Sequence, residues 1–368
     1  MKKLIITATI LSSTFFACKN EKSDLQVVGK DANGNELVVT ENGDTIQKNT
    51  ADSLAVNDGK DEVEDVALSK NEDDTYNFKY KLTKGKTYPM NLTVITTRNV
   101  SDGNQSMKLS NESKKKIDYT VQDFKDGVYT LKVTFKQYSE KLTDPSNKVF
   151  SFNTDAAKPK DQMTAMSWQV YKSIIGKSYT LKMNEKGKVI SVEGLTTIRT
   201  GIENSLKSTL SADDQKGLSE MLKMSLSEDA IKSQFEETMN IYPEKNLKVK
   251  ESWSDENSVN EGPLKGSSKV TRTLESVDDN ATKIVVKGSQ NVGGTQNEKV
   301  TTPDNKEGTV KMSMNDNSTI NGDIYLETES GWIKKINLTQ KKTVKETMEM
   351  SGQKQTRTEN TTVQTLVN

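Results

Sequence analysis

Apolar and polar residues alternate along much of the chain beyond residue 76. From Tyr129 to Phe135, apolar side chains occupy every second position and Thr or Lys occupies the positions between them. Successive side chains of a strand point to opposite faces, so this period of two predicts an antiparallel strand with one buried and one solvated face. The same alternation appears at 88–94, 179–183, 320–326 and 336–338. Turn signals between these segments, such as Lys125-Asp-Gly127, predict a long meander.

The period changes to 3.6 residues in the middle of the chain. Between about 195 and 240, apolar residues fall into three groups that each share one helical face. The groups are Leu195, Ile198, Ile202 and Leu206; Leu218, Met221, Leu222 and Leu226; and Ile231, Phe235 and Met239. Ser211 and Ser227 are predicted to cap the second and third helices. A fourth helix is predicted at 161–174.

Strands on both sides of a helical insert predict an α+β fold. We expect a large curved antiparallel sheet, an open or half barrel, with the mid-chain cluster of short amphipathic helices at about 195–240 covering one face. Residues 76–368 are predicted to form this single β-rich domain. Trp168, Trp253 and Trp332 are interpreted as core anchors, with glycan or protein binding on the outer sheet face as the alternative.

The segment from 18 to 75 has a different composition. It contains no Phe, Trp or Tyr, and its 15 acidic residues and six lysines give a net charge of −9. Such a segment cannot bury enough apolar surface to form a core, so it predicts an acidic, disordered tether. Within it, Asn42-Gly43 between the apolar residues of 36–40 and 45–46 predicts a short hairpin.

The first 17 residues have the order of a bacterial signal peptide. Lys2 and Lys3 precede an uncharged run that ends at Phe16, and Ala17 stands directly before Cys18. The run is shorter than the roughly 20 residues that a spanning helix needs. Phe15-Phe16-Ala17-Cys18 resembles the lipobox of bacterial lipoproteins, although Leu is usual in place of Phe15. The resemblance implies cleavage between Ala17 and Cys18, acylation of the Cys18 thiol with palmitate or a similar chain, and lipid anchoring to the outer membrane, facing the periplasm or the surface. An ordinary secretory peptide is the alternative.

Three groups of turn and strand-start residues carry a second resemblance. They are Tyr80-Lys-Leu-Thr-Lys-Gly85-Lys-Thr-Tyr88, Ile174-Ile-Gly176-Lys-Ser-Tyr179 with Gly187 and Val189, and Tyr242-Pro-Glu-Lys245 followed by Trp253. Together they resemble a family of uncharacterised Bacteroidota lipoproteins that is known only as a domain of unknown function. The resemblance implies a sheet partly wrapped around helices, similar to the half-barrel carriers of the LolA and LolB type. It supplies no catalytic residues.

Composition excludes many kinds of chemistry. The chain has no His and a single Cys, so a Ser-His-Asp triad, a His or multi-Cys zinc site and an intrachain disulfide are impossible. Ser113 to Lys116 fits a Ser-x-x-Lys pattern, but it starts the run of Lys114 to Lys116, which is interpreted as a solvated strand end. Asp31-Ala-Asn33-Gly-Asn35 lacks the Gly and the final Glu of a calcium loop and is interpreted as turns. No metal or other cofactor is expected.

Three functions remain open. We expect a non-catalytic structural or interaction role in the cell envelope, with the membrane and an envelope protein as partners. The alternative is binding or carrying a lipid or other apolar ligand in a half-barrel cavity, with Met221, Met224 and Met239 on the covering helices. A carboxylate-based hydrolase is the second alternative. A deep apolar cavity would favour the ligand, and a filled interior with an unpaired edge strand would favour a protein partner. No basic, aromatic-interleaved motif indicates nucleic acid.

Overall fold

The computed structural model describes residues 27–30, 36–39, 45–47, 66–103, 105–301, 307–350 and 353–368. The described residues fall into two compact units, one between residues 18 and 65 and one from Val66 onward. Cys18, the leader and the candidate calcium loop at 31–35 lie outside the described residues.

The first unit holds three short antiparallel strands: β1 (Val27–Lys30), β2 (Glu36–Val39) and β3 (Thr45–Gln47). Strands β2 and β3 pair with Val39 opposite Thr45, which confirms the predicted hairpin. Strand β1 adds a third strand that the sequence did not predict, with Val27 opposite Val38.

The second unit holds fourteen strands and four helices among the described residues. The strands are β4 (Leu68–Lys70), β5 (Tyr76–Phe78), β6 (Thr87–Ser101), β7 (Ser106–Lys125), β8 (Val128–Thr143), β9 (Val149–Asn153), β10 (Ser178–Asn184), β11 (Val189–Glu193), β12 (Ser252–Glu261), β13 (Leu264–Val277), β14 (Thr282–Thr301), β15 (Glu307–Leu326), β16 (Ile333–Met350) and β17 (Gln353–Val367). The helices are α1 (Gln162–Ile174), α2 (Leu195–Leu206), α3 (Ala212–Ser225) and α4 (Glu228–Met239).

Twelve of these strands form one antiparallel sheet. Its order is β11-β10-β8-β7-β6-β17-β16-β15-β14-β13-β12, and β9 pairs with the part of β8 that β10 leaves free. Strands β12 to β17 form one continuous meander, and β17 then pairs with β6 and joins the two halves of the sheet. Strands β11 and β12 stand at opposite ends of this order and do not pair with each other in the described part of the chain. The predicted α+β fold with a large open antiparallel sheet is confirmed.

The alternating segments of the sequence form strands with the predicted buried faces. Tyr129, Leu131 and Val133 on β8 are at most 2% exposed, and Leu181 and Met183 on β10 are fully buried. One face of the sheet is therefore apolar near the end where β8 and β10 meet the helices, as a period of two requires.

The helices cover that apolar face. The predicted helical faces of α2, α3 and α4 are buried in the main core, at Ile202, Leu222 and Phe235 among others. The side chains of Ser211 and Ser227 accept hydrogen bonds from the N–H groups of Asp214 and Ala230, which confirms both predicted caps. The fourth predicted helix is α1, which the side chain of Asp161 caps.

Helix α4 also protects one edge of the sheet. The carboxylate of Glu236 accepts a hydrogen bond from Val189 N–H at 2.7 Å, and that of Glu228 accepts one from Val192 N–H at 3.2 Å. Both N–H groups belong to edge strand β11, which would otherwise present unpaired donors to other chains. Strand β12, at the other end, has no second neighbour among the described strands.

Residues 66–75 fall in the range predicted as tether, yet part of this segment packs into the second unit. Ala67 and Leu68 are at most 2% exposed and belong to the main core. Ala67 N–H donates to the carbonyl of Glu329 at 2.8 Å, and strand β4 pairs with β5. The compact unit therefore begins at Val66.

Candidate ligand-binding cavities

A small cavity lies between the sheet and the helices. Its volume is about 140 Å³, and apolar side chains dominate its wall. They come from β6, β7, β8 and β10 on one side and from α1, α2, α3 and α4 on the other, and include Leu92, Ile117, Phe135, Val170, Ile202 and Met239. This volume is below the roughly 300–1,000 Å³ of typical ligand pockets. As it stands, the helix-covered cavity has room for a small group and not for a whole acyl chain.

Lys115 contributes a charged group to this apolar wall. It lies opposite Tyr138 in the β7–β8 pairing, with its amine 6.0 Å from the centre of the Tyr138 ring. Burial lowers the pKa of the Lys115 amine to about 8, and the nearby carboxylate of Glu140 counters part of that effect. Burial also raises the pKa of Glu140, although a hydrogen bond from Asn111 at 2.9 Å opposes the shift. An ionisable pair thus stands at the border of the apolar cavity.

The run of Lys114 to Lys116 is therefore not the solvated strand end that the sequence predicted. It lies in the middle of β7, where Lys114 and Lys116 are exposed on the outer face and Lys115 points to the inner one. Successive side chains of a strand point to opposite faces, so three consecutive lysines in one strand place two on one face and one on the other. The residues alone did not show whether the middle lysine faced a core.

A stack of aromatic rings closes the cavity beside α1. The rings of Tyr138 and Tyr171 are 3.5 Å apart and nearly parallel, and Phe152 packs at 5.8 Å from both. Burial raises the pKa of both tyrosine hydroxyls, and in Tyr138 the neighbouring Tyr171 adds to the effect. Both phenols therefore stay neutral at physiological pH and serve as packing groups that can still hydrogen-bond.

A larger cavity, here called the trough, lies on the same face at the far end of the sheet. Its volume is about 810 Å³, within the roughly 300–1,000 Å³ of typical small-molecule pockets. Its wall includes Val100 and Met107 from the β6–β7 hairpin and Leu264 from the β12–β13 hairpin. Four strands separate β6 from β13 in the sheet order, so only a strongly curved sheet can bring these two hairpins to one cavity.

Methionine is prominent in the trough. Met107, Met312, Met314 and Met348 all line it, and Met107 and Met348 are 48% and 49% exposed. Unbranched thioether side chains adapt to ligands of varied shape, and exposed clusters of them mark promiscuous apolar binding surfaces. The wall is not apolar throughout, because Asp102, Glu346 and Arg357 also line the trough. The trough therefore combines adaptable apolar side chains with polar and charged ones.

A polar band crosses the inner end of the trough. Three ion pairs join neighbouring strands in this band: Arg98 to Glu359 at 3.0 Å, Arg357 to Glu346 at 3.4 Å and Lys342 to Asp316 at 2.8 Å. Each pair combines one cation with one carboxylate, so the three pairs are neutral as a group. Arg357 and Glu346 also line the trough, so the band forms part of its wall on the side of the helix-covered core.

Two side chains of the band are buried without full hydrogen bonding. Gln290 is 5% exposed, and among the described residues neither its amide nitrogen nor its amide oxygen has a hydrogen-bond partner. Asp316 is 4% exposed; its Oδ2 pairs with Lys342, whereas its Oδ1 has no hydrogen-bond partner in the described part of the chain.

The structure accounts for the other candidate residues. Trp332 is 5% exposed and packs against Tyr88 and Tyr119, and Trp253 packs against the same core. Trp168 lies partly buried beside the Tyr138 stack. All three tryptophans are thus core anchors.

Of the methionines predicted to cover an apolar ligand, Met239 lines the helix-covered cavity and Met221 packs against the core. Met224 is instead 73% exposed. The methionines that line the larger cavity are on strands, where no helical spacing marks them in the sequence.

No helix within the described ranges is long and apolar enough to span a membrane. No group of three or more Cys, Asp and Glu side chains in the same ranges is placed to hold a metal ion.

The residues that carried the family resemblance meet in the core. Tyr80 donates to the carbonyl of Met239 at 2.7 Å, and its ring lies 4.8 Å from that of Tyr242. Gly187 passes beside the Tyr80 ring, and Tyr242 donates to the carbonyl of Gly331 at 2.7 Å. The motifs therefore hold the helical insert, the β10–β11 turn and the loop before β16 together.

Fold and cavities together define an α+β protein with a wide curved antiparallel sheet that helices cover at one end and that encloses a trough at the other. Residues 126–333 match the model of a family of unknown function, DUF6263. The match covers more than half of the chain, and the protein belongs to this family. No curated protein matches it in sequence.

Two solved structures show distant likenesses to this chain. Lipovitellin, in a structure concerned with lipid–protein interactions, aligns with a TM-score of 0.35 and 10% identity over 77% of this chain and 25% of the lipovitellin chain. OccK5 (OpdH) of Pseudomonas aeruginosa aligns with a TM-score of 0.22 and 8% identity over 77% of this chain and 99% of its own. The chain thus spans a quarter of the lipovitellin chain that it matches. Likenesses at these TM-scores say nothing about function.

Proposed function

We propose that this protein is a lipid-anchored envelope protein that binds an apolar molecule in the trough. The observation that carries the proposal is the 810 Å³ cavity lined by four methionines. A domain that only needed to be stable would gain from filling such a space, since burial of apolar surface is worth about 25 cal/mol per Å². A large, open cavity whose wall is mostly apolar surface favours ligand binding over the purely structural role.

The shape of the sheet supports this proposal. Its stabilising core lies at the helix-covered end, so the far end can remain open without loss of the fold. Exposed Met107 and Met348 stand at the trough wall, where a ligand would cover them. Covering them would remove apolar surface from water, which is the main driving force of such binding.

Native mass spectrometry of the full chain, purified from an envelope-directed expression, tests the proposal. We expect reproducible lipid-sized adducts that are lost on denaturation. Replacing Met312 and Met348 together by Glu should abolish the adducts, because two carboxylates in the trough would need to be desolvated against a hydrocarbon chain. Met224→Glu, on an exposed helical position, is the matched control and should retain them. Bare polypeptide masses for the wild-type protein would refute ligand binding.

Membrane anchoring through Cys18 forms a separate part of the proposal. It is supported by the order of charged, apolar and small residues before the single cysteine of the chain. Two or more acyl chains would give stable anchoring at the outer membrane. Labelling with a palmitate analogue should mark the wild-type protein and not the Cys18→Ala variant, and equal labelling of both would contradict acylation at this residue.

A protein-interaction role is the second candidate, and edge strand β12 favours it. This strand has only β13 as a neighbour in the described structure, in contrast to β11, whose edge α4 covers. An uncovered edge can pair with a strand of another protein. Crosslinking in intact cells through a photoreactive group on β12 should then capture one reproducible partner. In both cases we propose a non-catalytic protein that does not bind nucleic acid.

A further inference from the structure

We propose that the amine of Lys115 forms a reversible imine with a small apolar aldehyde that enters the helix-covered cavity. This site is separate from the trough, so its chemistry goes beyond the function proposed above. Either cavity can bind its ligand without the other.

The register of the strands surrounds Lys115 with residues of the cavity wall. Lys115 pairs with Leu92 on β6 and with Tyr138 on β8. Ile117 follows two residues later on the same face of β7, and all four residues line the cavity. Direct cross-strand neighbours share one face of a sheet, so the lysine stands in a row between a leucine and a tyrosine ring.

These surroundings activate the amine and leave it within reach. Lys115 is partly exposed, yet burial among the wall residues lowers the pKa of its amine to about 8 from an ordinary value of 10.5. At pH 7 about one amine in ten is then neutral, against fewer than about one in a thousand for an ordinary lysine. Only the neutral amine attacks a carbonyl carbon, which is why lysines in apolar pockets form imines readily.

The cavity sets the size and the charge of the ligand. Its volume of about 140 Å³ is close to that of an engineered apolar cavity of about 150 Å³ that binds benzene. A carboxylate ligand would meet Glu237, which also lines the cavity, and the nearby Glu140, whereas a cationic ligand would meet Lys115 itself. A neutral aldehyde of the size of benzaldehyde avoids both repulsions.

Imine formation balances without a further reagent. The lone pair of the neutral amine forms a C–N bond to the carbonyl carbon, and a proton moves from nitrogen to oxygen to give a carbinolamine. The hydroxyl group then leaves as water with its bonding electrons and a proton from an acid, while nitrogen forms the C=N bond and returns a proton. Glu140 suits the acid role, because burial raises the pKa of its carboxyl group. The neutral imine also removes the cost of an ammonium group in an apolar wall.

Reductive trapping on the full chain tests this inference. Benzaldehyde with sodium cyanoborohydride at pH 7 converts an imine into a stable benzylamine, which tandem mass spectrometry of chymotryptic peptides locates. Lys116 is the internal control, because it is exposed on the outer face of the same strand. We expect Lys115 to be labelled at least about tenfold faster than Lys116, which is less than their difference in neutral amine because a less basic amine is a weaker nucleophile.

Two further reagents assign the reactivity to the cavity. Biphenyl-4-carbaldehyde carries the same aldehyde on a ring system that exceeds the cavity, so it should label Lys115 no faster than Lys116. Benzyl alcohol has the benzene ring and no carbonyl group, and an excess of it should slow benzaldehyde labelling of Lys115 alone. The Lys115→Met variant should lose the fast label, and Lys116→Met should keep it.

Two results would overturn the inference. Equal rates for Lys115 and Lys116 with benzaldehyde would mean that the amine is not activated by the cavity wall. Fast labelling of Lys115 by both aldehydes, without protection by benzyl alcohol, would place the reactive amine outside the cavity. Neither result bears on the trough, whose occupancy native mass spectrometry measures.

Discussion

Gly187 occupies a position that no other residue type fits without strain. Its φ is +85°, a left-handed conformation that glycine adopts readily. A Cβ at this position would lie 2.5 Å from the carbonyl oxygen of Met239 and 2.8 Å from the ring of Tyr80. The turn between β10 and β11 can therefore pass beneath helix α4 only with glycine.

Gly187→Ala should lower the free energy of unfolding by about 2–5 kcal/mol, the sum of the cost of the left-handed conformation and the cost of overpacking. Urea denaturation followed by circular dichroism measures the change. Gly201→Ala, within α2 where a Cβ meets nothing within 4 Å, is the control and should be neutral or slightly stabilising. Equal stability of the Gly187→Ala and wild-type proteins would show that this turn can shift away from α4.

Lys115 should make stability depend on pH. Burial lowers its pKa to about 8 in the folded protein from an ordinary value of 10.5, so between these values the unfolded chain binds more protons than the folded one. The free energy of unfolding therefore rises with pH across this window, and the full cost of burying the charge is present below pH 8.

The comparison of wild type with Lys115→Met isolates this effect. The stability of the wild type relative to this variant should increase between pH 7 and pH 10 by on the order of 2 kcal/mol, as urea denaturation at each pH would show. Lys116→Met removes an exposed neighbour on the outer face and should stay within about 0.5 kcal/mol of the wild type. A difference between wild type and Lys115→Met that is constant with pH would mean that the amine is solvated.

At the scale of the elements, β17 has a position that its place in the sequence does not reveal. It is the last strand, yet it lies in the middle of the sheet between β6 and β16. Its Val367 is 2% exposed and belongs to the main core. Without β17, the two halves of the sheet would have facing edges with nothing to join them.

Removal of residues 353–368 should therefore abolish cooperative unfolding, because it exposes two strand edges and opens the core at once. Removal of Asn368 alone loses only its two hydrogen bonds with Asn91, at 3.2 and 3.1 Å, and should cost about 1–2 kcal/mol. Thermal unfolding followed by circular dichroism compares the two. A cooperative transition in the longer truncation would show that β6 and β16 can pair directly.

At the scale of the whole molecule, stability and ligand binding should be separable, since the core and the trough lie at opposite ends of one sheet. Leu181→Ala leaves a cavity at a fully buried position and should lower the free energy of unfolding by about 2–5 kcal/mol. The folded fraction of this variant should still bind ligand.

Met348→Ala shortens a half-exposed side chain in the trough wall and should lower the free energy of unfolding by less than about 1 kcal/mol. The fraction of this variant that carries ligand should decrease. Urea denaturation and native mass spectrometry measure the two effects, and a large loss of stability in Met348→Ala would show that the trough is structural.

The sequence by itself determined the local structure of this protein. Period-two alternation marked the strands around Tyr129 and Tyr179, period 3.6 marked the helices, and Ser211 and Ser227 marked two of their starts. These features depend on neighbours within one element, so a linear pattern contains them. The α+β class followed from the order of the elements.

Only the tertiary structure decided what the sheet encloses. The β6–β7 and β12–β13 hairpins are far apart in sequence, and sheet curvature, which accumulates over many strands, brings them to one cavity. In the same way Lys115 became an inner residue and Gln290 a buried one because of strands that pair with them from elsewhere in the chain. A polar strand rich in Thr and Asn has no apolar face that marks its inner side. The curvature of the whole sheet decides which of its faces lies inside.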